Sequence, residues 1–148
     1  MIYSFFATRP GFGPLFLRFG LAIPIFPHGA QKALGWFGGS GFEPAMDYFT
    51  NTMGFPYFLG LFAIAFESIG AIGLVLGLFT RLWATGIGIT LTIAAFTHLE
   101  YGFFMNWWGD KGGEGFEYHI LAVGMSLCLA VVGAGSYSMD REISHRII

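Results

Sequence analysis

The sequence predicts an all-α integral membrane protein: an antiparallel four-helix bundle with both termini on the cytoplasmic side. Three observations carry that expectation. Of the 148 residues, 55% are hydrophobic and 11% charged, where soluble domains carry roughly 25% charged residues. Four apolar stretches approach the roughly 20 residues a helix needs to cross the hydrocarbon core. None alternates like a membrane strand, and all are too long for one. Helices satisfy their own backbone hydrogen bonds, so they suit lipid. The length fits one domain covering 1–148.

The first span is expected at about 15–37. Its Pro24 and Pro27 lack an N–H, so the carbonyls of Gly20 and Ile23 lose helical partners and a kink near His28 is expected. The second span, about 56–78, is the clearest, with Glu67 as its single charge. The third, about 82–104, is uncharged from Leu82 to Thr97, and the fourth, about 117–135, is uncharged from Tyr118 onward. Thr80-Arg81 reads as a tight hairpin that makes the second and third helices antiparallel neighbours. The pairs Gly73/Gly77 and Ala84/Gly88 have the small-xxx-small spacing that lets helix backbones approach, here within the bundle.

Loop charges give the orientation. Arg9, Arg18, Arg81, Arg141 and Arg146 gather on the side of the termini, whereas the other side has only Lys32 and Lys111 among its acidic residues. The positive-inside rule then puts both termini in the cytoplasm. The N-terminus lacks a compact cleavage signal, so an uncleaved chain is expected. Cys128 is the sole cysteine and, within an apolar run, reads as a buried, inert thiol. The glycine-rich GWFGGSG follows a helix rather than a strand, so it is a flexible helix exit and not a phosphate loop.

Chemistry concentrates around Glu67. A carboxylate at membrane depth is costly and normally faces a protein partner, a cavity or a proton path. It lies eleven residues into its helix from Pro56, about 16 Å at 1.5 Å per residue, near the midplane. His28, Gln31 and Lys32 share a face in the outer half of the first span. His98 closes the third span, and Glu117 and His119 open the fourth. A shared outer-half polar pocket is therefore expected. Its candidate catalytic residues are Glu67, His28 and His98; its candidate cofactor-binding residues are Lys32, Gln31, Trp36, Glu117 and Tyr118.

Structural readings of the same residues stand beside these. Lys32 can snorkel to the headgroups or pair with Glu67. His98, Glu100 and Glu117 can simply mark helix ends, and His119 can be an edge histidine. The aromatics of GFFMNWWGDKGGEGFEY, with Trp36, Phe37 and Phe42, suit an interface belt or a lid over a pocket. No metal-ligand spacing, haem, flavin or iron–sulfur motif is visible, and no Ser-His-Asp order is present. The formal charge of −2 argues against a nucleic-acid partner.

Three segments, RFGLAIPIFPHGAQKALGWFGG, FESIGAIGLVLGLFTRL and GFEYHILAVGMSLCLAVVGAGSYSMDR, resemble the DoxX family of small four-helix membrane proteins from about Leu15 to Arg141. The resemblance implies motif positions at His28, Lys32, Glu67, His98, Glu117 and Tyr118; His119 departs from the pattern. Related DoxD proteins are associated with thiosulfate:quinone oxidoreductase. The resemblance therefore implies a multi-pass protein of a bacterial or archaeal cytoplasmic membrane, serving as a subunit of an oxidoreductase system. A quinone-like lipid is the expected cofactor. The chain is not expected to catalyse alone, since its electrons must come from a partner or a bound reductant. A non-enzymatic anchor or assembly subunit is the alternative, and a small-solute or proton transporter a third reading that lacks a supporting inverted repeat. Expected partners are the bilayer and a protein in a membrane complex, with a homo-oligomer as the alternative use of the small-residue pairs.

Overall fold

The computed structural model describes residues 6–147. The first residues, on which the expectation of an uncleaved N-terminus partly rests, lie outside that range. Among the described residues the chain is all-α, with no strand. Helix α1 is Gly13–Leu34. Pro14 occupies its first turn, where a missing N–H costs nothing. The helix runs through Pro24 and Pro27 and closes at Gly35, whose φ of 71° lets its amide reach the Ala30 and Gln31 carbonyls. Helix α2, Phe42–Asp47, continues into wider π turns over Tyr48–Thr52.

Helix α3 is Tyr57–Leu76, with a mean hydropathy of 2.1 over its most apolar window. Among the described residues it alone combines the length and apolarity needed to cross a membrane. Its middle turn, Phe66–Gly70, is also π-wound. Helix α4 is Thr80–Thr97, α5 is the shorter apolar Glu117–Val132, and α6 is the amphipathic Met139–Ile147.

The expected third span is thus trimmed at its end. The helix stops at His98, Leu99–Tyr101 forms a single 3₁₀ turn, and Phe103 and Phe104 belong to the loop that follows. The hairpin between α3 and α4 is also displaced from its expected place. Gly77 caps α3 with φ 63°, Phe79 precedes α4 with φ 52°, and Thr80 and Arg81 already lie within α4.

Four helices share one core. Leu21 and Ile25 of α1 meet Ala71 and Leu74 of α3, Ala84, Ile87 and Leu91 of α4, and Ala122 and Leu129 of α5. The small residues work as spacers inside this packing. A Cβ at Gly88 would press on Ser126 of α5, and one at Gly73 would overlap the Trp83 indole. A satellite core of Ala45, Met46 and Ile64 seats α2 on α3. The outward faces are apolar as well, with Phe16, Ile23, Phe62, Ile69, Leu121 and Val131 all exposed. Cys128 stands on that outer face rather than in the core. The register of α5 turns Leu129 inward, and its neighbour Cys128 faces out.

One end of the helix array gathers both described ends of the chain. The Arg9 amide donates to the Val132 carbonyl at 3.3 Å. Arg18, fully buried, donates to the carbonyls of Leu74, Val75 and Tyr137 at 3.2, 3.2 and 2.8 Å. These include two carbonyls in the last turn of α3, of which Leu74 also accepts the Gly77 amide at 3.1 Å. Arg81 serves Ala7, Ala130 and Val131 in the same way. Asp140 of α6 accepts from the Phe79 and Thr80 amides at 2.7 and 2.9 Å, capping α4 from another helix. Arg18 and Arg81, read from sequence as loop charges, are structural clamps at this end.

Candidate functional site

Glu67 lies in the π turn of α3 and is 7% exposed. The wide turn has a visible neighbour. Gly29 of α1 packs so closely that a Cβ there would overlap the Glu67 carbonyl group and the Ser68 amide. A single π turn inside an α-helix often marks a functional position, and here it coincides with the only charge of α3. Lys32, one turn beyond His28 on α1, extends its ammonium to within 2.5 Å of Glu67 Oε2. The side chains are 29% and 9% exposed, so the pair sits at an opening and not in a sealed core.

That opening is a cavity of about 440 Å³ between α2, α3 and α4. Lys32, Glu67 and His98 supply its ammonium, carboxylate and imidazole groups. Its walls are Tyr48, Phe49, Met53 and Phe55 from α2 and its exit, Leu59, Phe62 and Phe66 from α3, and Ile89, Ile93 and Thr97 from α4. The Phe62 and Phe66 rings stack with centroids 6.0 Å apart. Size and lining match a small-molecule pocket: apolar and aromatic walls with a few polar groups that fix orientation. Both π-wound segments contribute wall residues.

The residues singled out in the sequence take different places. Lys32, Glu67 and His98 meet at the cavity. His28 is exposed and lies within Coulombic range of Lys32 and Glu67 without lining the cavity. Tyr118 packs on the main core and is within Coulombic range of Glu67 from the α5 side.

Gln31, Trp36 and Glu117 stand elsewhere. Gln31 donates through Nε2 to the Phe37 carbonyl at 3.2 Å, and its own carbonyl accepts from Gly35 and Gly41. It therefore shapes the helix exit, and the glycine-rich segment is tethered there. Trp36 is exposed beside Phe37. Glu117 Oε1 accepts from the Met105 amide at 3.1 Å and the Trp107 indole at 3.2 Å, holding the aromatic loop onto the start of α5. Beyond it Trp108 is 90% exposed. In the 3₁₀ turn before that loop, a hydrogen bond to Glu100 holds the Tyr101 phenol above its ordinary pKa. No group of three or more His, Cys, Asp or Glu among the described residues is arranged to hold a metal.

Sequence reasoning missed the α2 wall. Tyr48, Phe49, Met53 and Phe55 lie in a stretch without clear periodicity, and only their density of aromatics could have drawn attention. It also left His119 undecided. The ring is buried and its centroid lies 4.9 Å from that of His98.

Against known proteins, the model of the family described as DoxX matches residues 13–100, which includes α1 to α4 and with them Lys32, Glu67 and His98. No curated protein and no solved structure gives a match.

Proposed function

The chain belongs to the DoxX family, whose members are membrane proteins, and on that premise we propose that it is a membrane subunit of an oxidoreductase system holding a quinone-like lipid in the α2–α3–α4 cavity. The observation that carries this reading is the cavity itself: aromatic walls leading to a lysine–carboxylate pair with a histidine on the rim. A volume of about 440 Å³ admits a substituted ring, and the apolar outer faces of α3 and α4 offer a lipid tail a continuous path. The residues present fit the group.

When bound, a quinone supplies two-electron chemistry coupled to two protons. The chain's own part is to bind and to handle protons. Phe62 and Phe66 present ring faces and edges to a planar ligand. The Lys32 ammonium is a donor for a carbonyl oxygen; His98, whose Nδ1 faces the Glu114 carbonyl, is a second donor across the cavity in its imidazolium form. Glu67 holds Lys32 in place and is the group through which a proton can enter or leave. Electrons come from a partner protein or a bound reductant.

In this reading α1, α3, α4 and α5 form an antiparallel four-helix bundle in a bacterial or archaeal cytoplasmic membrane, with both termini inside. The exposed aromatic faces support that placement, as does the cationic end carrying Arg9, Arg141 and Arg146. The test uses protein purified from its native membrane under mild conditions, with retained lipids extracted and identified. Quinone should co-purify near stoichiometrically and be lost from Glu67→Gln and Phe66→Ala proteins. Preparations that repeatedly lack quinone, and that bind none when it is added, contradict the proposal.

A second reading has its own observation. Trp107 and Trp108 project from a loop pinned by Glu117, as a docking surface for a larger subunit would. Loss of complex assembly on Trp108→Ala, with quinone content unchanged, would favour an anchoring role.

A further inference from the structure

Two buried polar atoms on adjacent residues of α5 have no hydrogen-bond partner among the described residues: the Tyr118 hydroxyl and His119 Nδ1. An unsatisfied buried polar group is costly, and native proteins usually satisfy such groups with protein or with ordered water. These two stand between ionisable neighbours on three other helices. Tyr118 is in Coulombic range of Glu67 on α3. His119 is in range of His28 on α1 and His98 at the end of α4, and it packs on the His98 ring at 4.9 Å between centroids. The Tyr118 and His119 rings are themselves 5.9 Å apart, edge to face. His98 Nδ1 in turn lies 3.0 Å from the Glu114 carbonyl in the surface loop.

We propose that Tyr118 and His119 form a hydrated proton route from Glu67 to His98 and the outer loop. It rests on the reading of Glu67 as a proton-handling group, and it adds the side from which protons arrive. The chemistry suits the residue types. A phenol and a neutral imidazole each donate and accept, so each can take a proton on one side and release one on the other. A proton taken up at His98 is matched by one delivered to Glu67, and the intervening groups return to their starting state. The groups facing Glu67 are Lys32 and His28 from α1, Tyr118 from α5 and, across the cavity, His98 from α4. Of these groups, Tyr118 is the one with a buried polar atom that has no partner among the described residues.

Tyr118→Phe is the discriminating variant. It preserves the ring's packing and removes a hydroxyl that makes no hydrogen bond among the described residues, so the fold has little to lose. The measurement is water-to-carbon magnetisation transfer by solid-state NMR on labelled protein in bilayers. Water should reach the Tyr118 and His119 rings well before Ala122 and Leu129, the buried apolar residues of the same helix. In Tyr118→Phe, transfer to the Glu67 carboxyl carbon should slow several-fold while transfer to His98 is unchanged. Hydration of Tyr118 and His119 no faster than that of Leu129, or Glu67 transfer unaffected by Tyr118→Phe, overturns the route. Quinone retention, measured on the same samples, reports on the cavity separately. A protein that binds no quinone but shows the slowed transfer keeps the route and rejects the ligand.

Discussion

Replacing Lys32 by methionine should cost much more stability than replacing Glu67 by glutamine, although both break the same 2.5 Å pair. The asymmetry comes from what each change leaves behind. Breaking a buried ion pair costs about 3–5 kcal/mol because one charge is stranded, whereas exposed pairs are worth about 0–1 kcal/mol. Lys32→Met leaves a carboxylate whose side chain is 9% exposed, close to the buried limit. Glu67→Gln leaves a lysine whose side chain is 29% exposed and whose long stem can carry its ammonium to water. We expect a loss of about 3 kcal/mol for Lys32→Met and about 1 kcal/mol for Glu67→Gln. At about 2–4 °C per kcal/mol for a chain near this size, these correspond to drops of about 6–12 °C and 2–4 °C. The assay is thermal unfolding in one detergent, with the Lys32→Met/Glu67→Gln double variant completing the cycle. The double variant should recover much of the lysine loss, because no stranded charge remains. Equal losses for the two single variants, or a coupling below about 0.5 kcal/mol, would refute the reasoning.

Further outcomes follow from the packing. Gly29→Ala should cost about 1–3 kcal/mol by pushing α1 off the Glu67 turn, whereas Gly20→Ala, whose added methyl would meet only Met125 at ordinary distance, should be nearly neutral; thermal unfolding of the two compares them directly. Asp140→Ala removes both caps from the start of α4 and should cost about 0.5–2 kcal/mol, with hydrogen exchange rising first at Phe79 and Thr80. Glu117→Ala should free the aromatic loop, so limited proteolysis between Gly102 and Gly115 should accelerate while quinone retention stays unchanged.

Much of this architecture can be read from the chain, because each long apolar run implies one helix regardless of what it packs against. Glu67 is legible for the same reason: a lone carboxylate in such a run demands a partner, and helical spacing from His28 places Lys32 among the candidates. What stays hidden depends on contacts between distant segments. The π turn at Phe66–Gly70 is not written in its own residues; it fits against a bare backbone at Gly29, and neither segment predicts the other alone. The inward aim of Tyr118 follows from the register of α5, whereas its aromatic neighbours in sequence suggest a surface belt. Glu117 looks like a site carboxylate until the loop it clamps is seen folding back. Arg18 and Arg81 count as surface charge in any sequence tally, yet their guanidinium groups satisfy backbone carbonyls at the ends of other helices.

The central claim is that a ring-shaped lipid occupies the cavity ending at Lys32 and Glu67. Photo-crosslinking with an azido-quinone, followed by peptide mapping, tests it most directly. Labels should fall on the α2 wall between Tyr48 and Phe55 and on Phe62 to Glu67, and excess unlabelled quinone should suppress them. Labels scattered over the outward faces at Phe16, Leu121 and Val131, with no competition, would contradict it.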